Sequence, residues 1–155
     1  MPLSVKDIPY YKSLKANYDP KLARKSSGDL MQYMNGEILA NNYLPEVMYY
    51  CMEALASVSL RGMKMNDVES QCQLLDHNVC GSLKSVLDRM GAAHPDIAQW
   101  GLQSIRNMAW GSTDFSDVII ESNLGATVVD MVTAHPGNKE IRLVGTQALA
   151  FLAFG

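Results

Sequence analysis

Cysteine is scarce in this chain. The three present (Cys51, Cys72 and Cys80) form no CxxC pair and leave an odd one over. That pattern argues against a disulfide framework and fits reduced thiols in a cell interior, so a cytoplasmic protein is expected. Long apolar runs are missing as well. No stretch approaches the ~18–20 apolar residues of a membrane helix, and the opening MPLSVKDIPYYKSLK has no apolar stretch of the kind a secretory signal carries. No membrane insertion is expected. There is no Gly-rich phosphate loop, no GxSxG elbow and no nucleophile with a base at a recognisable spacing. The expectation is a protein that is not an enzyme and needs no cofactor. His77, His94 and His135 have no Cys or His at ligand spacing, so they read as capping or solvated side chains and not as metal ligands. Asp114, Asp117 and Glu121 read as one solvated helix face, and Cys72 and Cys80 as small buried apolar residues.

What the chain does have is apolar content: 48% of its 155 residues. That is enough for one folded domain or one short repeat array. The net charge of −3 is unevenly spread. Residues 1–28 carry six bases against Asp7 and Asp19, or +4, leaving seven bases against fourteen acids, or −7, in the remainder. A basic, Tyr-rich N-terminal arm on an acidic body suggests either self-docking or an arm that reaches a partner, and an acidic body does not suit nucleic acid.

The strongest signal is internal similarity. GSLKSVLDRMGAAHPDIAQWGLQSIRNMAWG (81–111) aligns without a gap on GATVVDMVTAHPGNKEIRLVGTQALAFLAFG (125–155), 44 positions later. Six of 31 positions are identical (Gly81/Gly125, Ile97/Ile141, Gly101/Gly145, Gln103/Gln147, Ala109/Ala153 and Gly111/Gly155), against roughly two expected from average composition. Leu87/Met131, Ile105/Leu149, Met108/Leu152 and Trp110/Phe154 keep apolar character. A weaker third copy, PEVMYYCMEALASVSL (45–60), matches PDIAQWGLQSIRNMAW (95–110) at a spacing of 50.

Within each copy the period is helical. Leu83, Val86, Leu87 and Met90 follow i, i+3, i+4, i+7, and Ile97, Gly101, Ile105 and Met108 form a second stripe. Pro45 and Pro95 suit a first helical turn. Asn66 with Glu69 reads as a capping pair, Asn138 as the cap of the last helix, and Pro136 as the stop of the one before. The pattern places helices at about 67–77, 80–92, 95–110, 114–122, 125–134 and 138–154. The expected fold is all-α, with a partial first unit (29–60), a second (67–110) and a third (114–154). Each unit buries one face and leaves another for its neighbour to cover.

These segments resemble the armadillo repeat, whose unit is three helices in just over forty residues. VIIESNLGATVVDMV (118–132) looks like its turn between first and second helices, with Gly125 at the bend, and SIRNMAWG (104–111) looks like the close of its third helix. The resemblance covers about residues 29–155 and implies a right-handed α-solenoid whose third helices line a concave groove. In importin-like members that groove carries a Trp followed four residues later by an Asn. Asn107 takes the Asn position, but Gln103 stands at the Trp position, the next unit has Gln147 and Phe151, and the upstream unit has Glu53 and Ser57. The ladder for a basic localisation peptide is therefore absent. The groove implied here comprises Tyr49, Glu53, Gln99, Gln103, Asn107, Gln147 and Phe151. Trp100 and Trp110 are both weighed as groove anchors. The plainer reading is packing between units, above all for Trp110, the counterpart of Phe154, and most of the ten methionines read as packing too.

The functional expectation is a protein–protein interaction module, an adaptor or scaffold that holds a partner along that groove. The alternative is a permanent structural subunit of a large assembly, for example cytoskeletal or ciliary, with the arm threading into neighbours. The final helix, LVGTQALAFLAFG, has no charge after Arg142. Its Leu149, Leu152 and Phe154 are expected to need a cover, which makes a homo-oligomer or a larger complex the expected state.

Overall fold

The computed structural model describes residues 26–41, 43–111 and 113–154, of which Gly111, Thr113, Asp114 and Phe154 are described for backbone only. The expectations for residues 1–25 of the basic arm, and for the side chains of Asp114 and Phe154, lie outside that range. Among the described residues there are eight helices and no strand: α1 (Ser27–Leu39), α2 (Pro45–Lys64), α3 (Val68–Asp76), α4 (Val79–Val86, prolonged by a π-helical turn Leu87–Gly91), α5 (Pro95–Gly111), α6 (Thr113–Glu121), α7 (Leu124–Ala134) and α8 (Lys139–Phe154).

Local chemistry explains where these helices start. Pro45 occupies the first turn of α2, where a missing N–H costs nothing. Asn138 Oδ1 accepts from Ile141 N (3.0 Å) at the head of α8, as the sequence suggests. Ser26 Oγ and Asn78 Oδ1 cap α1 and α4 in the same way. Two details differ from expectation. The cap of α3 is Asp67, whose Oδ1 accepts from Ser70 N (3.1 Å); Asn66 instead takes the left-handed turn position before it, with φ 50°. The bend between α6 and α7 is made by Asn123, at φ 64°, and not by Gly125, which lies inside α7. Asn41, Asn66, Asn78 and Asn123 all sit at positive φ between helices. The short amide side chain bonds locally and lowers the cost of that conformation.

Packing follows two rows. The three long helices lie in series, with α2 against α5 and α5 against α8, the most extensive pairings in the molecule. The shorter α1, α4 and α7 form another series, α1 against α4 and α4 against α7. The core between them is rich in methionine: Met31, Met34, Met48, Met52, Met63, Met90, Met108 and Met131 are all buried, suiting an unbranched chain that fills irregular gaps.

Polar stitches join groups about one unit apart. Asn35 Nδ2 donates to His77 O (2.9 Å), and its Oδ1 accepts from Ser82 Oγ. Lys84 Nζ donates to Thr127 Oγ1 (3.0 Å) and pairs with Asp88 at 3.1 Å. His135 is buried, not solvated as expected, and lies 2.7 Å through Nε2 from the Gly91 carbonyl at the end of the π-helical turn. A carbonyl only accepts, so Nε2 carries the proton.

One pair of the glycines kept between the two copies, Gly101 and Gly145, has a common cause. A Cβ on Gly101 would stand 2.6 Å from Leu87 Cδ2, and one on Gly145 would stand 2.5 Å from Val132 Cγ2. In both units the long helix uses glycine to admit a side chain of the preceding helix row.

Candidate protein-binding cleft

The long-helix row carries the side chains that the sequence assigns to a groove, and the structure separates them into two groups. Tyr49 is core: it is 1% exposed, its ring meets Tyr50 edge-on at 5.4 Å, and its hydroxyl donates to Glu53 Oε2 (3.0 Å). It presents nothing to a partner. Asn107 is also buried, at 3% exposure. Its Nδ2 donates to Ala56 O (3.1 Å) and Ser59 Oγ (3.3 Å), so its amide joins α5 to α2. Glu53, Gln99 and Gln103 are half-buried along the same row.

Toward the C-terminal parts of α2, α5 and α8 the row opens into a cleft of about 250 Å³, lined by Leu60, Arg106, Asn107, Trp110, Gln147 and Phe151. Three predicted residues (Asn107, Gln147, Phe151) come together there, while Tyr49, Glu53, Gln99 and Gln103 do not line it. Trp110 is 56% exposed, which overturns its reading as packing between units. Leu60, at the same register one unit earlier, is also exposed. Leu60 was missed, although the 50-residue spacing that pairs Val58 with Met108 pairs Leu60 with Trp110. Trp100 is half-buried and packs against the core.

Arg106 was likewise missed. Its Nη1 donates to Gln147 Oε1 (2.9 Å) and its Nη2 to Asn107 Oδ1 (3.3 Å). The Gln147 amide of the neighbouring α8 and the Asn107 amide of its own helix thus hold the guanidinium in the cleft wall, and its stem contributes apolar area. The cleft offers aromatic and aliphatic walls with amide and guanidinium donors between them. Such walls can take up apolar side chains, and the polar groups between them can hydrogen-bond a ligand.

Elsewhere polar groups are used internally. A larger cleft of about 430 Å³ lies where α1, α2 and α3 meet, but Ser27 Oγ there bonds Ser70 Oγ (2.5 Å), and Gln73 Oε1 accepts from Gly28 N (2.9 Å). Burial drives the Cys51 thiol up to about 12, with the Glu37 charge adding to it. Burial also raises Cys80, opposed by a hydrogen bond with Ser122. Cys72 is exposed, contrary to its expected burial, because α3 turns it away from the core. Among the described residues, no group of three or more His, Cys, Asp or Glu side chains is arranged to hold a metal ion, and no helix is long and apolar enough to cross a membrane.

On the last helix, Leu149 and Leu152 are half-buried and packed against the core, so they are less open than the sequence suggests. Leu143 on that helix is exposed. No family model, curated protein or solved structure matches the chain.

Proposed function

We propose that this chain is a non-catalytic protein-binding module, an armadillo-like α-solenoid of about three units that holds an extended segment of a partner along α2, α5 and α8. The observation that carries the reading is the cleft itself. Trp110 stands exposed beside Leu60 and Phe151, with the Arg106 guanidinium and the Gln147 amide set between them. An exposed tryptophan is an expensive feature for a surface to keep, and aromatic side chains in such seats dominate binding energy. The series of long helices, and the parallel series of shorter ones, support the solenoid reading.

The test is recovery of partners from native lysate by the full chain, by Trp110→Ser, and by Val129→Ser on the remote helix α7. Partners should disappear with Trp110→Ser and persist with Val129→Ser. Equal recovery by all three would remove the cleft as the binding site.

A second reading, a permanent subunit of a larger assembly, is favoured by the apolar side of α8, where Leu143 is exposed and Leu149 and Leu152 are only half covered. It expects light scattering of the purified chain to give more than a monomer mass, and Leu152→Asp to restore the monomer. A monomer at micromolar concentration in both would dismiss it.

A further inference from the structure

We infer that the cleft selects an acidic–apolar peptide segment: an aromatic or leucine side chain seated against Leu60, Trp110 and Phe151, with a carboxylate one or two residues away on Arg106. This rests on the protein-binding reading above and names the partner's chemistry.

Arg106 is the group that decides it. Both of its bonding partners, Gln147 and Asn107, are neutral amides, and among the described residues no carboxylate reaches it. A guanidinium has five N–H donors; two are used, which leaves three for a ligand. Because two helices already hold the group in place, a carboxylate binds it with little further loss of rotamer freedom. The three helices that line the cleft carry no further acid toward their C-terminal ends. Beyond Glu53, α2 carries only Arg61 and Lys64; beyond Asp96, α5 carries only Arg106; beyond Glu140, α8 carries only Arg142. Helix C-termini carry about half a negative charge each, and Arg61 and Lys64 in the last turn of α2 offset that effect.

The rest of the body points the other way. With −7 over residues 29–155, it repels acidic chains except where a local cation receives them, so charge sets register along the row and the aromatic wall sets affinity. Nucleic acid fits poorly, since backbone binding needs several cations in line.

The experiment pans a random-peptide phage library on the full chain and on its Arg106→Gln, Arg106→Lys and Trp110→Ala variants, each first shown by circular dichroism to melt cooperatively. The best peptide is then titrated by fluorescence anisotropy, with a single-stranded oligonucleotide as a further probe. Peptides selected by the unaltered chain should carry an aromatic residue or leucine within two positions of Asp or Glu. Arg106→Gln should weaken the best one about fivefold, the value of one partly exposed ion pair, and select peptides without the acid. Arg106→Lys should keep the acid, and Trp110→Ala should select nothing. Neutral or basic peptides on the unaltered chain, or no loss with Arg106→Gln, would overturn the charge preference while leaving the binding cleft intact. Absence of any Trp110-dependent selection, or tighter binding of the oligonucleotide than of any peptide, would overturn both.

Discussion

The two copies, 81–111 and 125–154, share a backbone plan and part company on the face they present. Ile97 and Ile141, at the same register, are both fully buried, and Gly101 and Gly145 both yield to a side chain from the other helix row. Four residues after the kept glutamines the copies diverge. Both line the cleft, but Asn107 is buried and donates its amide to the preceding unit, whereas Phe151 is half-buried. Cover differs as well: Ile105 and Met108 are fully buried between α2 and α8, while their counterparts Leu149 and Leu152 are only half-buried. The lesson is that positions facing a unit's own second helix keep size and shape. Positions facing along the long-helix row answer to what lies next to them.

The largest effect expected is at the shared core register. Ile97→Ala and Ile141→Ala should each cost about 3 kcal/mol in urea unfolding, since each leaves a cavity in a fully packed site. A loss below about 1 kcal/mol for either would break the equivalence of the copies. Gly101→Val should cost about 2 kcal/mol through overpacking against Leu87. Gly125→Ala, where a Cβ meets nothing within 4 Å, should gain about 0.5 kcal/mol in thermal melting. Asn107→Ala should cost about 1–2 kcal/mol, because the Ala56 carbonyl and the Ser59 hydroxyl lose a buried donor. Phe151→Ala should cost less stability and remove partner binding; the reverse ranking in a paired stability and binding assay would contradict the division of roles.

The smallest effect at neutral pH concerns the thiols. Cys80 is buried at the head of α4, at the register where the second copy has Leu124. A thiol reagent near pH 8 should therefore modify Cys72 at once, and Cys51 and Cys80 only on unfolding. Since burial raises the folded Cys51 thiol from 9.0 to about 12, only the unfolded thiol ionises between those values. Stability should be insensitive to this group below pH 9 and should fall as pH rises from there. A Cys51→Ala variant that shows the same alkaline slope would assign the slope to another group.

From residue 67 onward the sequence alone determined where the helices lie, whereas the Ser27–Leu39 helix had no such placement. The expected 95–110, 125–134 and 138–154 are observed as Pro95–Gly111, Leu124–Ala134 and Lys139–Phe154, because the punctuation is local: Pro45 in a first turn and Asn138 as a cap act within a few residues of themselves. It also determined which stripe of each helix is apolar. Only the tertiary structure decided which apolar or polar residues at a stripe's edge are covered. Tyr49 went inside, Trp110 outside, Cys72 to solvent and His135 into a bond with Gly91, which lies 44 residues away. An edge residue's exposure depends on how the neighbouring helix is rotated and offset. Chain spacing does not encode that rotation; the packing of one unit on the next does.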